Sequence, residues 1–291
     1  MIASGGCVAV PTETVYGLAA DATDSRAVAG IYAAKGRPSF NPLIVHVLDL
    51  GAAERLAMFD DDARALAAAF WPGPLTLVLP VREGTVASLV TAGLSTVAIR
   101  VPAHRAMRAL LEACGRPLAA PSANASNRIS PTRASHVLAS LDGRIPLVID
   151  DGATSAGLES TIVALGETPR LLRPGPVTVE AVARVLQRPL GSAGEDISAP
   201  GQLASHYAPR KPLRLEATTP REGEWMIGFG SVAGDKTLSA RGDLVEAAAA
   251  LFDALHEADA SNRAEIAVAP IPRDGIGTAI NDRLTRAAHR G

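Results

Sequence analysis

Short apolar runs alternate with segments of helical periodicity over roughly the first 186 residues. The first run, residues 7–10, stops at Pro11 and is typical of a buried strand that ends in a group of polar side chains. Further strands are predicted at residues 43–47, 75–79, 95–101, 118–120, 147–149, 161–164 and 171–173. Helices are predicted as two short pieces within residues 51–70, and at residues 103–114 and 177–186. Ser130, Pro131 and Thr132 carry the usual signals of an N-terminal cap for the helix that follows them.

The rest of the chain repeats this alternation on a smaller scale. Strands are predicted at residues 213–215, 225–228 and 266–269, and helices at residues 243–256 and 277–289. The stretch before them is rich in Gly, Ser, Ala and Pro, which predicts a linker. We therefore predict a catalytic domain at 1–186, a linker at 187–210 and a small α/β domain at 211–291.

Composition narrows the class of protein. The 291 residues are 47% hydrophobic, and 28 basic residues against 30 acidic ones give a formal net charge of −2. This balance carries no basic patch for nucleic acid, so direct tRNA binding is expected to be weak or absent. Two cysteines cannot build a disulfide framework or a Cys-rich zinc site. No segment predicts a membrane span or a signal peptide, and we expect a cytoplasmic location without membrane binding.

Candidate chemistry begins directly after the first apolar run. Residues 11–18, PTETVYGL, bring hydroxyls, a carboxylate and a phenol to the end of that strand, where α/β proteins bind ligands. Lys35 and Arg37 then lie on a turn with Gly and Pro, a pair that suits a polyphosphate. His46 closes the next strand. Taken alone, the Thr-Glu-Thr segment also fits a helix cap, the Lys35 and Arg37 pair fits a solvated surface, and His46 fits a core histidine. Taken together, the three features predict a ligand-binding site.

The ordered set PTETVYGL, KGRP (35–38) and NPLIVH (41–46) closely resembles the YrdC-like family of L-threonylcarbamoyladenylate synthases. The match continues in SAN (122–124) and LLRPG (171–175) and covers roughly residues 5–186, with a further family-type tail. The resemblance implies a YrdC-like twisted open mixed sheet flanked by helices. It also implies a smaller Rossmann-like α/β C-terminal domain.

The resemblance also implies a reaction. L-Threonine, bicarbonate or CO₂, and ATP would form threonylcarbamoyl-AMP and pyrophosphate, so the chain would be a nucleotidyltransferase. The product would serve threonylcarbamoyladenosine modification of the tRNA adenosine next to the anticodon, through a downstream threonylcarbamoyl-transferase complex. Mg²⁺ would accompany ATP, with no dedicated protein ligands predicted for a metal.

Site residues follow from the same resemblance, position by position. Lys35 and Arg37 would be catalytic by neutralising the triphosphate. Predicted ATP contacts are Lys35, Arg37, Asn41, Thr96, Ser122, Asn124, Ser130, Arg173 and Tyr207. Predicted L-threonine contacts are Thr14, His46, Arg100 and Ser160, with Arg100 gripping the carboxylate.

Several alternatives and expectations stay open on the sequence. The chain could be an RNA-binding module, or a carbamoyltransferase that shares the YrdC-like domain. Residues 198–209 are expected to act as a lid that protects a labile mixed anhydride from water. The family helix before the first strand is missing from the sequence, so one face of that strand is expected to lack a cover. Residues 228–233, GFGSVA, match the pattern of a dinucleotide-binding fingerprint. The next predicted helix begins too far along the chain for that motif, so cofactor binding is not expected there.

Overall fold

The computed structural model describes residues 1–37, 41–192 and 206–289. Its strands are β1 (Val8–Pro11), β2 (Tyr16–Asp21), β3 (Ile44–His46), β4 (Leu75–Pro80), β5 (Thr96–Arg100), β6 (Leu118–Ala119), β7 (Thr161–Ala164), β8 (Arg170–Arg173), β9 (Gly191–Ser192), β10 (Leu213–Arg214), β11 (Glu224–Gly228), β12 (Lys236–Thr237) and β13 (Glu265–Val268). Its helices are α1 (Ser25–Lys35), α2 (Leu50–Glu54), α3 (Asp61–Phe70), α4 (Ser88–Thr91), α5 (Arg105–Cys114), α6 (Ala134–Leu141), α7 (Val179–Leu186), α8 (Leu244–Ala260) and α9 (Gly277–Ala288).

Nine strands form one mixed sheet in the order β1-β2-β6-β3-β5-β4-β7-β8-β9. Strands β3 and β5 run parallel, with Ile44 beside Ala98 and His46 beside Arg100. This register brings the ends of the two strands together. The remaining strands form a smaller sheet, β10-β13-β11-β12, in which all pairs are parallel. The predicted fold class, a mixed α/β sheet with a smaller parallel α/β domain, is confirmed.

Local signals explain the ends of several helices. Asp24, Asp49, Asp60 and Asp243 each accept backbone N–H bonds at the start of a helix. Helix α1 ends at Gly36, whose φ of 59° favours glycine. Lys35 therefore lies in the last turn of α1, directly before the Gly36 cap.

Two predicted features are wrong in detail. Residues 147–149 form only one isolated bridge, between Val148 and Ala9, because Pro146 and the turn after Ile149 leave no room for a longer strand. The cap expected from residues 130–132 is also wrong: α6 begins at Ala134, and its N-cap makes no side-chain hydrogen bond. The hydroxyl of Ser130 is instead used for a tertiary contact.

Strand β2 was not expected from the sequence. Every residue from Tyr16 to Asp21 is buried, so the strand lacks the alternation that marks a half-exposed strand. It pairs with β1 as an antiparallel hairpin. The polar residues 12–15 form the turn of that hairpin.

The expected bare face of β1 is also not found. All four residues of the strand are buried. Ile2, in a short 3₁₀ turn, is 5% exposed and packs in one cluster with Val8, Val10 and Met107 of α5. The first residues of the chain therefore cover the strand.

Two stacked histidines form a contact between α6, which belongs to the larger domain, and α8, which belongs to the smaller one. The rings of His136 on α6 and His256 on α8 lie 3.8 Å apart and nearly parallel. His136 Nε2 is 3.5 Å from Asp253, which also binds Arg133. Burial and then the neighbouring His256 lower the pKa of His136 to about 4, and burial also lowers the pKa of His256.

This pair predicts a loss of stability in acid. Because the folded pKa of His136 is below the unfolded value, its contribution is complete above about pH 6.5 and declines as the pH falls toward 4. For a partly exposed ring, the loss between pH 7.5 and 5 is on the order of 1 kcal/mol. Urea unfolding at both pH values should show a smaller pH effect in His136→Gln than in the parent chain. Equal pH effects in the two proteins would contradict this assignment.

Candidate active site

A cleft opens where the β1–β2 turn meets the ends of β3 and β5. The lining side chains come from segments that are far apart in the sequence: Thr12, Thr14, Val15, Gly17, Arg37, Ile44, His46, Arg100, Ala120, Pro121, Ser122, Glu159, Ser160, Arg173, His206 and Tyr207.

Arg100 lines this cleft and is almost fully buried. Its Nε donates to the Gly73 carbonyl at 3.1 Å, and Nη1 donates to the Thr14 hydroxyl at 2.8 Å. Nη2 lies 2.7 Å from Glu13 Oε1, close enough for an ion pair, yet it has no hydrogen bond of good geometry to any described residue. The guanidinium is thus held rigidly with donor capacity left for a ligand.

Glu13 keeps its negative charge in this setting. Burial by itself would raise its pKa, but the adjacent Arg100 outweighs it and the pKa falls below the usual value. Its second oxygen, Oε2, has no hydrogen-bond partner among the described residues. The carboxylate therefore orients Arg100 and partly balances its charge.

His46 lies beside Arg100 and is neutral. Burial, and then the Arg100 charge, lower the pKa of His46 to about 3. Its Nδ1 has no hydrogen-bond partner within the described ranges. A neutral imidazole with an unused ring nitrogen can accept or donate one hydrogen bond to a bound polar ligand.

Two further arginines, Arg37 and Arg173, line the cleft. Arg37 donates from Nη2 to the Pro42 carbonyl at 3.0 Å, and burial lowers its pKa to about 10, so it stays charged. Arg173 donates to the carbonyl and the hydroxyl of Ser160, at 3.1 and 3.2 Å. The Ser160 hydroxyl also lies 2.7 Å from that of Thr76. The cleft is thus rich in fixed positive charge, which favours anions.

Lys35 lies behind the wall formed by Ser122. Its ammonium contacts the carbonyls of Ser122 and Asn124, at 2.5 and 2.6 Å, and the Asn124 side chain at 3.3 Å. Burial and then the Arg37 charge hold the pKa of Lys35 well below its usual value. In this structure the lysine organises the loop that carries Ser122.

Tyr207 also lines the cleft. It is fully buried, its φ is +62°, and its hydroxyl has no hydrogen-bond partner among the described residues. His206 packs edge-on against its ring, with the ring centroids 4.0 Å apart. A left-handed conformation in a tyrosine costs energy, and such strain is typical of sites that hold a ligand.

Comparison with known proteins gives this cleft its context. A Sua5/YciO/YrdC family model, described as telomere recombination, matches residues 1–175, and one described as threonylcarbamoyl-AMP synthase, C-terminal domain, matches residues 177–289. Threonylcarbamoyl-AMP synthase of Bacillus subtilis is 41% identical to this chain, and the alignment covers 97% of the chain and 89% of that protein. The chain belongs to the threonylcarbamoyl-AMP synthase family.

The enzyme of Pyrococcus abyssi, also 41% identical, matches 99% of the chain and 92% of its own length. The crystal structure of P. abyssi Sua5 complexed with L-threonine superposes with a TM-score of 0.90 at 39% identity, covering 99% of this chain and 92% of that chain. The resemblance predicted from residues 5–186 is therefore confirmed and extends over the C-terminal domain. The boundaries predicted at 186 and 210 stay predictions.

Most of the predicted synthase site residues meet in the cleft. Eight line it: Thr14, Arg37, His46, Arg100, Ser122, Ser160, Arg173 and Tyr207. Lys35 and Asn124 lie directly behind it and bind each other. Asn41 is buried next to Arg37, with its side-chain oxygen lacking a partner among the described residues.

Thr96 and Ser130 are placed differently. Thr96 begins β5 whereas Arg100 ends it, so the two lie roughly 13 Å apart along the strand, and Thr96 is absent from the cleft lining. The hydroxyl of Ser130 is fully buried and donates to Glu159. Ser130 supports the wall from behind. Of the expected lid, residues 198–205 lie outside the described ranges.

Sequence reasoning missed three side chains around the cleft. Glu13 is inside the PTET motif and next to a predicted contact, so its position could have been proposed. Glu159 precedes Ser160 by one residue and offered the same signal. Arg283, which binds Glu159, is in the last helix and carries no local signal.

The described residues contain neither a metal-binding cluster nor a membrane-spanning helix. No three His, Cys, Asp or Glu side chains among them cluster closely enough to hold a metal ion. No helix within these ranges has the length and apolar character required to cross a bilayer.

Proposed function

We propose that this chain is a nucleotidyltransferase that forms threonylcarbamoyl-AMP and pyrophosphate from L-threonine, bicarbonate or CO₂, and ATP. The observation that carries the proposal is the cleft itself, which is lined by Arg37, Arg100 and Arg173, while the nearby carboxylates of Glu13 and Glu159 are already paired with arginines. This arrangement suits two anions in one site. Family membership over nearly the full length supports the same reaction.

We assign each residue the role that the family resemblance implies and that its position supports. Arg100 binds the threonine carboxylate, while His46 and Thr14 contact its polar groups. Arg37 and Arg173 neutralise the triphosphate, and Lys35 holds the Ser122 loop against which the nucleotide lies. The threonine amine adds to CO₂ with loss of a proton, or to bicarbonate with loss of water, and so becomes a carbamate. A carbamate oxygen then bonds to the α-phosphorus of ATP as the bond to pyrophosphate breaks, and pyrophosphate leaves. Such a displacement needs alignment and charge neutralisation, and no protein nucleophile.

Mg²⁺ fits this donor set as a companion of ATP. Glu159, which lines the cleft, and Glu13, which lies beside Arg100, are both paired with arginines, so the ligands would come chiefly from phosphate oxygens and water. When bound, the ion would add positive charge at the phosphates. In the cell we propose a cytoplasmic enzyme that passes its product to a downstream transferase complex for tRNA modification.

The test is incubation of the purified chain with ATP, Mg²⁺, bicarbonate and one amino acid at a time. Pyrophosphate release should depend on threonine and on bicarbonate, and mass spectrometry should detect threonylcarbamoyl-AMP. Serine, valine and reactions without amino acid are the controls. Equal release with all amino acids, or none with threonine, would overturn the proposal. Carbamoyl phosphate replacing both threonine and bicarbonate would support the carbamoyltransferase alternative instead.

A further inference from the structure

Arg283 is a fully buried charged residue that belongs to the C-terminal domain and reaches the wall of the cleft. It is 0% exposed and lies on α9, more than 100 residues after the strands that carry the site. Its Nε donates to Glu159 Oε2 at 2.9 Å, and Nη1 donates to the Pro174 carbonyl at 2.9 Å. Nη1 also contacts Asp282 at 2.8 Å. Arg283 itself does not line the cleft.

Glu159, the partner of Arg283, does line the cleft. One carboxylate oxygen binds Arg283 and the other accepts the hydrogen bond of Ser130. The next residue, Ser160, is gripped by Arg173. A single side chain of the C-terminal domain thus holds the segment that presents Ser160, and through Pro174 the segment that follows Arg173.

Arg283 also supports the buried tyrosine of the site. Its guanidinium carbon lies 5.2 Å from the ring centroid of Tyr207, within the range of a cation–π contact. On its other side the Tyr207 ring packs against Phe252 of α8, with centroids 5.6 Å apart. Two helices of the C-terminal domain therefore hold a residue of the cleft whose backbone has a positive φ.

The charge of Arg283 helps to keep Glu159 ionised. Burial by itself would raise the pKa of Glu159, but Arg283, Arg173 and the Ser130 hydrogen bond outweigh it and keep the pKa below the usual value. Loss of Arg283 would remove the first of these opposing effects, so the pKa of Glu159 would rise. A protonated Glu159 would lose its charged contacts and release the segment before Ser160.

We propose that Arg283 is a positioning residue for the synthase reaction, so that the C-terminal domain completes the active site by holding Glu159 and Tyr207 in place. The inference rests on the proposed function for its activity readout. It assigns the C-terminal domain a direct share in substrate binding, beyond stabilising the fold.

The experiment compares Arg283→Gln, Arg283→Lys and Glu159→Gln with a matched control. Arg133→Gln is that control, because Arg133 also makes an ion pair across the two domains, with Asp253 at 2.7 Å, but on the surface and away from the cleft. Circular dichroism and thermal unfolding first establish which variants are folded. Initial rates of pyrophosphate release then give kcat and KM for ATP and for threonine.

Arg283→Gln should lower kcat/KM by at least about tenfold, the loss expected from one charge-assisted hydrogen bond. Arg133→Gln should stay within about twofold of the parent chain, since a surface ion pair contributes little. Arg283→Lys retains the charge and should recover part of the loss. If Arg283→Gln does not fold, Arg283→Lys and Glu159→Gln carry the test.

The pH profile of kcat/KM separates positioning from simple destabilisation. In Arg283→Gln the pKa of Glu159 rises, so activity should begin to fall at a higher pH on acidification than in the parent chain. In Arg283→Lys, activity should begin to fall at the same pH as in the parent chain; this fall on acidification is the acid limb of the profile. Glu159→Gln has no carboxyl to titrate, so the Arg283→Gln/Glu159→Gln double variant should lose the shift.

Each outcome has one meaning. If the parent chain shows no threonine-dependent pyrophosphate release, the proposed function fails. If the parent chain is active and folded Arg283→Gln matches Arg133→Gln in kcat/KM and in its acid limb, only the positioning role is overturned. An acid limb that also shifts in Arg283→Lys would overturn the role of the charge.

Discussion

Replacing Arg100 with lysine should lower threonine-dependent kcat/KM by about 10²-fold, mainly through a higher KM for threonine. Lysine keeps the charge next to Glu13 but cannot make the forked contacts to Gly73 and Thr14 while also binding a carboxylate. A charged hydrogen bond contributes about 1.5–3 kcal/mol, which sets the size of the effect. The KM for ATP should change much less. Steady-state rates at varied threonine and fixed ATP measure the KM for threonine.

Arg105→Lys is the matched control for this prediction. Arg105 begins α5, only five residues later, and pairs with Asp151 on the surface. Its replacement should leave both KM values unchanged. Arg100→Met is expected to be worse than Arg100→Lys for a second reason, because it leaves the buried Glu13 carboxylate unpaired, at a cost of about 3–5 kcal/mol in the free energy of unfolding. Equal KM values for threonine in Arg100→Lys and the parent chain would contradict a carboxylate-binding role.

Replacing Lys35 with methionine should reduce ATP-dependent turnover by about 10²-fold or more. Methionine fills similar space but leaves the carbonyls of Ser122 and Asn124 and the Asn124 side chain without their shared donor. Buried acceptors without partners cost about 1–3 kcal/mol each, so the loop is expected to rearrange and the KM for ATP to rise. Steady-state rates at varied ATP test the expected rise in the KM for ATP, and thermal unfolding tests the expected loss of stability.

Lys236→Met serves as the control for Lys35→Met. Lys236 is partly exposed in the C-terminal domain and binds Glu257 at 2.8 Å, away from the cleft. It should be close to neutral in both stability and kinetics. If Lys35→Met were folded and its KM for ATP unchanged, the loop-holding role would be wrong. A large fall in kcat with an unchanged KM would instead indicate direct contact with the reacting phosphates.

The sequence predicted the site motifs well because they combine rare residue types with strand ends. PTETVYGL, KGRP and SAN are local in sequence, and the backbone that surrounds each is constrained by Pro or Gly. The same locality leaves the placement of single residues open. Thr96 and Arg100 belong to one predicted strand, and the pattern alone does not show that only Arg100 lines the cleft. Strand β2 was missed because complete burial erases the alternating pattern.

By itself, the sequence determined the family, the α/β class and the identity of eight of the sixteen residues that line the cleft, since these depend on short-range patterns. Only the tertiary structure decided which groups meet. It placed Lys35 on the loop of Ser122, paired Glu13 with Arg100, and brought Arg283 from the last helix to Glu159. Contacts between residues far apart in the chain leave no periodic trace in the sequence. They arise because burying a charge is costly unless an opposite charge lies beside it, and only the folded chain brings the two together.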